Sequence, residues 1–137
     1  MRVAAIDYGS VRVGLAVSDE LGLLAHPRPF LDGRNDRDVL KALSRLAEED
    51  GIMLFLVGLP RTLAGREGTM AKKARRFAEQ LSEETGRPVE MWDERFTTRE
   101  AEQRLRASGM KAKSARQRVD SAAAALLLQS YLDRRRD

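Results

Sequence analysis

Three carboxylates occupy positions from which they could act together on one substrate. Asp7 ends the apolar run Val3–Ile6, Glu94 ends the strand-like stretch that Pro88 opens, and Asp120 lies in a C-terminal helical stretch. Ligands normally bind at the carboxyl ends of the strands of such sheets, where Asp7 and Glu94 both fall. Carboxylate oxygens are hard ligands that suit Mg²⁺ or Mn²⁺ rather than zinc. Two such ions about 4 Å apart can support phosphodiester cleavage, which makes this chemistry a candidate.

Each acid also has an ordinary structural explanation. Asp7 precedes a glycine turn, and turn aspartates often accept hydrogen bonds from nearby backbone N–H groups. Asp120 stands one helical turn after Arg116, a spacing typical of an exposed ion pair. Asp93 competes with Glu94, because adjacent strand residues point to opposite faces of a sheet. The acids alone therefore leave a structural and a catalytic interpretation open.

Composition excludes several other classes of site. The chain of 137 residues has no cysteine, which rules out disulfides, thiolate zinc sites and cysteine nucleophiles. His26 is the only histidine, and its place among prolines indicates a structural or exposed residue. No apolar run approaches the roughly 20 residues that span a bilayer. We therefore expect a soluble, cytoplasmic protein whose residues 1–137 form one domain.

Charge is distributed unevenly along the chain. Residues 1–60 carry 7 basic and 9 acidic side chains, and the remaining 18 basic and 12 acidic side chains give residues 61–137 a net charge of +6. A basic half indicates a polyanionic partner such as nucleic acid, although a solvated surface would look the same. The candidates for phosphate contacts are Arg12, Arg61, Arg95, Lys111, Lys113, Arg116 and Arg118.

The elements that must position these residues follow from the spacing of apolar residues. Strands are predicted at Val3–Ile6, Val13–Val17, Leu23–Leu31, Ile52–Pro60 and from Pro88 to Glu94. Helices are predicted from Asn35 or Asp36 to Gly51, over residues 69–85, after a Thr97 N-cap with Glu100 completing a capping box, and from about Ser114. The order, βββαβαβα, predicts an α/β fold with a five-stranded mixed sheet flanked by helices.

Four blocks of residues in this order carry a family resemblance. They are Asp7, Gly9, Arg12, Gly14, Ala16, Ser18 and Asp19; Val57–Pro60 with Gly65 and Gly68; Asp93–Arg95 with Thr97, Thr98, Ala101 and Glu102; and Val119, Asp120, Ala123, Ala124, Leu128 and Gln129. Together they cover nearly the whole chain, and they resemble the YqgF family, also called RuvX. Its members are RNase H-like proteins related to Holliday junction resolvases and assigned to 5′ maturation of pre-16S ribosomal RNA.

The resemblance implies an RNase H-like nuclease in which Asp7, Glu94 and Asp120 hold Mg²⁺ or Mn²⁺. It also implies a nucleic-acid substrate, either pre-rRNA or DNA, and a homodimer if that substrate is a four-way junction. One departure stands out, because the related resolvases carry a second acid near the last one, where this chain has Gln117 and Ala123. A site with three acids either binds one ion weakly or uses the substrate phosphate to complete it.

Two other functions fit parts of the sequence. A non-catalytic nucleic-acid or ribosome-binding module would keep the basic half without needing the metal. A nucleotide-binding domain of the actin and sugar-kinase type shares the opening strand order and an Asp-x-Gly turn, here Asp7 to Gly9. That class needs a second domain to close over the nucleotide, and this chain is short for it. Protection by ATP against heat unfolding would favour the nucleotide-binding domain.

Overall fold

A five-stranded mixed sheet forms the centre of the computed structural model, which describes residues 1–60, 68–108 and 119–136. Its strands are β1 (Arg2–Asp7), β2 (Arg12–Ser18), β3 (Ala25–Asp32), β4 (Ile52–Leu59) and β5 (Val89–Asp93). The spatial order is β3-β2-β1-β4-β5. The first three strands pair antiparallel, and β4 pairs parallel with β1 and β5. The carboxyl ends of β1, β4 and β5 therefore lie at one edge of the sheet.

Four helices and one short turn complete the described chain. They are α1 (Asp36–Asp50), α2 (Thr69–Thr85), a 3₁₀ turn (Glu94–Phe96), α3 (Arg99–Ala107) and α4 (Val119–Arg136). Asn35 caps α1 by accepting hydrogen bonds from the backbone of Arg37 and Asp38. Gly51 and Gly86 end α1 and α2 in the left-handed conformation that glycine adopts without a steric penalty.

The helices cover both faces of the sheet, with α1 and α2 on one face and α3 and α4 on the other. Alternate residues of the central strands therefore enter different cores. The first core contains Ile6, Leu15, Leu43, Phe55, Val57, Phe77 and Leu81. The second contains Val3, Ala5, Leu54, Leu56, Leu105, Leu127, Leu128 and Leu132. Burying each leucine contributes about 1.5–3 kcal/mol, so the leucines of α4 fix the helix that carries Asp120 against the sheet.

The predicted fold class is confirmed, and two details of the prediction are wrong. Among the described residues two helices, α3 and α4, follow the last strand, whereas the order βββαβαβα counts only one there. The N-cap of α3 is Thr98, which accepts from Ala101 N at 3.0 Å, and not Thr97. Thr97 instead donates its hydroxyl to the Glu94 carbonyl at 3.1 Å and closes the 3₁₀ turn. The predicted start of the last helix at Ser114 lies outside the described residues.

None of the described helices is long and apolar enough to cross a membrane.

Candidate active site

Asp7 lies where β1 ends and on the face of the sheet that α4 covers. The alternation of β1 places Val3 and Ala5 in the core beneath α4, and Asp7 continues that series. On one side Asp7 pairs with Gly14 of β2. On the other side β1 pairs with β4, where Ile6 lies opposite Val57. Asp7 therefore projects from the carboxyl edge of the sheet beside a strand neighbour that has no side chain.

Glu94 reaches the same place from β5, two strands away from β1. It begins the 3₁₀ turn, and its carboxyl group hydrogen-bonds to that of Asp7. The path between them crosses the end of β4 at Gly58. A Cβ atom on Gly58 would lie only 2.7 Å from Glu94 Oε1 and 2.7 Å from Leu127 Cδ1. The missing side chain at Gly58 is therefore what allows the two carboxyl groups to meet.

The environment of Glu94 favours its protonated form. Burial is the largest cause, followed by the hydrogen bond to Asp7 and the negative charges of Asp7 and Asp93, and together they raise the pKa of Glu94 to about 7. Two half-buried carboxyl groups in contact can share a proton or a cation. A divalent cation would neutralise both, so this donor set of hard oxygens fits Mg²⁺ or Mn²⁺.

Asp93 faces away from this pair and has a structural role. Its carboxylate accepts a hydrogen bond from Arg95 N at 2.9 Å and caps the 3₁₀ turn. The same carboxylate forms an ion pair with the Arg95 guanidinium at 2.7 Å. Of these two neighbouring acids, Glu94 is therefore the one whose carboxyl group meets that of Asp7.

The third predicted acid, Asp120, lies in the first turn of α4, and its side chain is outside the described part of the chain. Its neighbour Ser121 locates this turn. The register between β2 and β3 shifts between Val13 and Leu15, and Leu15 N donates to Ser121 Oγ at 3.3 Å. Leu15 in turn pairs with Ile6, one residue before Asp7. The first turn of α4 therefore lies over β2 close to the end of its neighbour β1.

Among the described side chains no group of three potential ligands forms a metal site. The described part of the candidate site is the pair Asp7 and Glu94.

The predicted phosphate contacts are only partly described. Arg12 is exposed at the start of β2, with its guanidinium 4.9 Å from the centre of the Phe30 ring. Arg95 is exposed and pairs with Asp93. His26, predicted to be structural or exposed, is exposed on β3. The remaining predicted contacts lie outside the described residues: Arg61, Lys111, Lys113, Arg116 and Arg118.

The sequence pattern did not predict the roles of two supporting residues, Gly58 and Tyr8. Gly58 sits in an apolar strand, and only the later approach of Glu94 reveals its importance. Tyr8 follows Asp7 and points to the opposite face, where its hydroxyl donates to Asp36 at 2.9 Å and its ring lies 4.7 Å from that of Phe77. Burial, followed by the hydrogen bond to Asp36, raises the pKa of Tyr8 to about 12, so it stays neutral. Tyr8 thereby anchors the turn that follows Asp7.

Two solved Holliday junction resolvases share this fold. "T. thermophilus RuvC in complex with Holliday junction substrate" superposes with a TM-score of 0.62 and 18% identity, over 98% of this chain and 96% of that one. The fowlpox virus Holliday junction resolvase superposes with a TM-score of 0.57 and 13% identity, over 98% and 99%. At these identities the similarity establishes the fold, which is that of the RNase H-like resolvases.

The family follows from sequence similarity. A model of the family described as "RuvX: Holliday junction resolvase" matches residues 1–134, so the chain belongs to the RuvX family. A relative from Koribacter versatilis, named "Putative pre-16S rRNA nuclease", is 45% identical over 98% of this chain and 88% of its own length. A relative of the same name from Anaeromyxobacter sp. strain K is 43% identical over 98% of both chains. The resemblance predicted from the four residue blocks is confirmed.

Proposed function

We propose that this chain is a divalent-metal-dependent nuclease that cleaves phosphodiester bonds in structured nucleic acid. Its reaction is 5′ maturation of pre-16S ribosomal RNA, cleavage of DNA resembling a Holliday junction, or both. The observation that carries the proposal is the contact between the carboxyl groups of Asp7 and Glu94 at the carboxyl edge of the sheet. The names of the relatives support the reaction class, and the basic second half of the chain supports the substrate class.

In this proposal Asp7, Glu94 and Asp120 hold Mg²⁺ or Mn²⁺. An ion held by these residues would supply a nucleophile at neutral pH and neutralise charge on the scissile phosphate. The chain's own contribution is to fix the ligands. Ladder pairing and the Tyr8 anchor hold Asp7, and the 3₁₀ turn capped by Asp93 holds Glu94. Removing any one ligand should leave the backbone frame intact, which makes isosteric variants informative.

The exposed bases extend the site towards the nucleic-acid backbone. Arg12 begins β2 at the same edge of the sheet as Asp7, and Arg95 directly follows Glu94. Guanidinium groups suit phosphate oxygens because their planar fork donates two parallel hydrogen bonds. We assign to the same phosphate-binding role four bases that precede α4 in sequence, and Arg61, which follows β4 in sequence. The four are Lys111, Lys113, Arg116 and Arg118.

The choice between the two substrates sets the expected assembly and location. Resolving a four-way junction requires two cuts and hence two active sites, so this activity would need a homodimer. Maturation of pre-rRNA needs only one site and takes place in the cytoplasm. Metal-dependent cleavage of a precursor-rRNA substrate by a monomeric protein would favour the rRNA reaction.

A panel of end-labelled substrates tests the proposal. A precursor-rRNA 5′ segment, linear duplex DNA and a four-way junction are each incubated with Mn²⁺, and in parallel with chelator. We expect cleavage of at least one substrate with Mn²⁺ and none with chelator. Binding without cleavage under any metal condition would instead indicate the non-catalytic module, and stabilisation by ATP would indicate the nucleotide-binding domain.

A further inference from the structure

An exposed aromatic ring belongs to the same 3₁₀ turn as Glu94, two residues further along the chain. Phe96 is 44% exposed although it is large and apolar. Its ring meets Trp92 edge-on, with centroids 5.8 Å apart and an interplanar angle of 76°. Trp92 meets Tyr131 of α4 in the same way, at 5.4 Å and 86°. The two inner rings hold Phe96 in place and leave part of its ring open to solvent.

An arginine covers this aromatic cluster. The Arg134 guanidinium lies 4.8 Å from the centre of the Phe96 ring and 5.8 Å from that of Trp92. Such cation–π contacts hold a guanidinium close to the face of an aromatic ring. The neighbouring arginines Arg95 and Arg104 are instead bound by the carboxylates of Asp93 and Asp133. Arg134 is therefore the arginine whose guanidinium lies over the exposed Phe96 ring, while that of Arg135 lies 5.7 Å from the centre of the Tyr131 ring.

Phe96 and Arg134 lie along a groove of about 680 Å³ between the 3₁₀ turn, α3 and α4. Hydroxyl groups and charged side chains form the rest of its lining: Arg95, Thr97, Thr98, Glu100, Arg104, Ser130 and Asp133. The mixture of acids and bases does not suit a simple anion site. It suits a flat, partly apolar group that carries hydrogen-bonding edges, which is a description of a nucleobase.

We propose that Phe96 and Arg134 form a platform that binds one unpaired base of the substrate beside the phosphate held at Asp7 and Glu94. Bases stack on aromatic rings and on guanidinium planes, and single strands are bound in this way without strong sequence preference. Phe96 is two residues from Glu94 in a 3₁₀ turn, which rises about 2 Å per residue, so the stacked base belongs to a nucleotide close to the cut. The location of that phosphate rests on the proposed function, whereas the platform itself does not.

Binding is measured in chelator, so that no cleavage takes place. The probe is a short single-stranded RNA with one 2-aminopurine, whose fluorescence is quenched by stacking, and the same sequence is also presented as a perfect duplex. We expect Phe96→Leu, which removes the π face but keeps an apolar side chain, to weaken single-strand binding about tenfold. Phe96→Trp should restore binding and quenching, and duplex affinity should be unchanged in both variants.

Leu21→Ala is the matched control, because Leu21 is 78% exposed in the turn between β2 and β3, at the opposite edge of the sheet. It should leave single-strand binding unchanged, and melting curves should show all variants folded. Single-strand binding by Phe96→Leu equal to wild type, or an equal loss on single strand and duplex, would overturn the platform. Neither result bears on metal-dependent cleavage, so the platform and the proposed nuclease site can fail separately.

Discussion

The carboxyl groups of Asp7 and Glu94 hydrogen-bond to each other although their strands, β1 and β5, are separated by β4. The contact is possible because Gly58, the last residue but one of β4, places no side chain in its path. Two acids brought together at a half-buried sheet edge raise the free energy of the metal-free protein whenever both are ionised. Such an arrangement is stabilised by a bound cation, which connects the geometry directly to the proposed reaction.

The neighbouring acids Glu94 and Asp93 should behave differently when neutralised. Glu94→Gln removes a proposed ligand together with its repulsion towards Asp7, so cleavage should be lost without a fall in melting temperature. Asp93→Asn weakens the ion pair with Arg95 and should lower the melting temperature slightly while cleavage persists. Cleavage assays and thermal melts of the two variants check this, and the opposite pattern would make Asp93 the ligand.

The stability of the metal-free protein should depend on the protonation of Glu94. Its pKa rises from 4.5 to about 7 on folding, so the folded state holds the proton more tightly than the unfolded state. This contribution is complete below about pH 4.5 and is lost as the pH rises through about 7. Melting curves in chelator should therefore show Glu94→Gln gaining stability relative to wild type across this range. A constant difference would show that Glu94 does not titrate there.

Filling the space at Gly58 should separate the two acids. The added methyl of Gly58→Ala would collide with Glu94 and Leu127, and overpacking of this kind costs about 1–3 kcal/mol. A ligand displaced by about 1 Å can cost about a hundredfold in rate, so cleavage should fall far more than stability. Gly68→Ala is the control for stability, since no atom of the described residues lies within 4 Å of the position that its methyl group would take. If folded Gly58→Ala cleaves as fast as wild type, Glu94 does not need the space at Gly58 to reach Asp7.

Nucleic-acid binding should weaken steeply with salt, because each neutralised phosphate releases counterions. Replacing Lys111, Lys113, Arg116 and Arg118 with alanine should flatten the slope of log K against log salt concentration. The comparison variant replaces the exposed bases at the start of α2: Lys72, Lys73, Arg75 and Arg76. If only the comparison variant changes this slope, the phosphate-binding surface lies on α2 instead.

Much of this fold could be predicted because hydrophobic period and capping residues agree locally. The limits of α2, from residue 69 to residue 85, follow from its apolar spacing and from Gly86. The sequence alone could not identify the N-cap of α3, because Thr97 and Thr98 are both good capping residues. The 3₁₀ turn before them uses Thr97 and leaves Thr98 to cap the helix. The role of Gly58 could not be predicted from the sequence either. It depends on Glu94 crossing from β5, a contact between residues 36 positions apart that no local pattern encodes.

The most direct test of the account is the cleavage rate of Asp7→Asn with saturating Mn²⁺, measured beside wild type on whichever substrate wild type cuts. Asparagine is nearly isosteric with aspartate, so the variant should melt as a folded protein while one anionic ligand is gone. We expect a rate at least about a hundredfold lower than that of wild type, equivalent to about 2.7 kcal/mol of transition-state stabilisation. Undiminished cleavage by folded Asp7→Asn would contradict the assignment of this acid pair as the catalytic metal site.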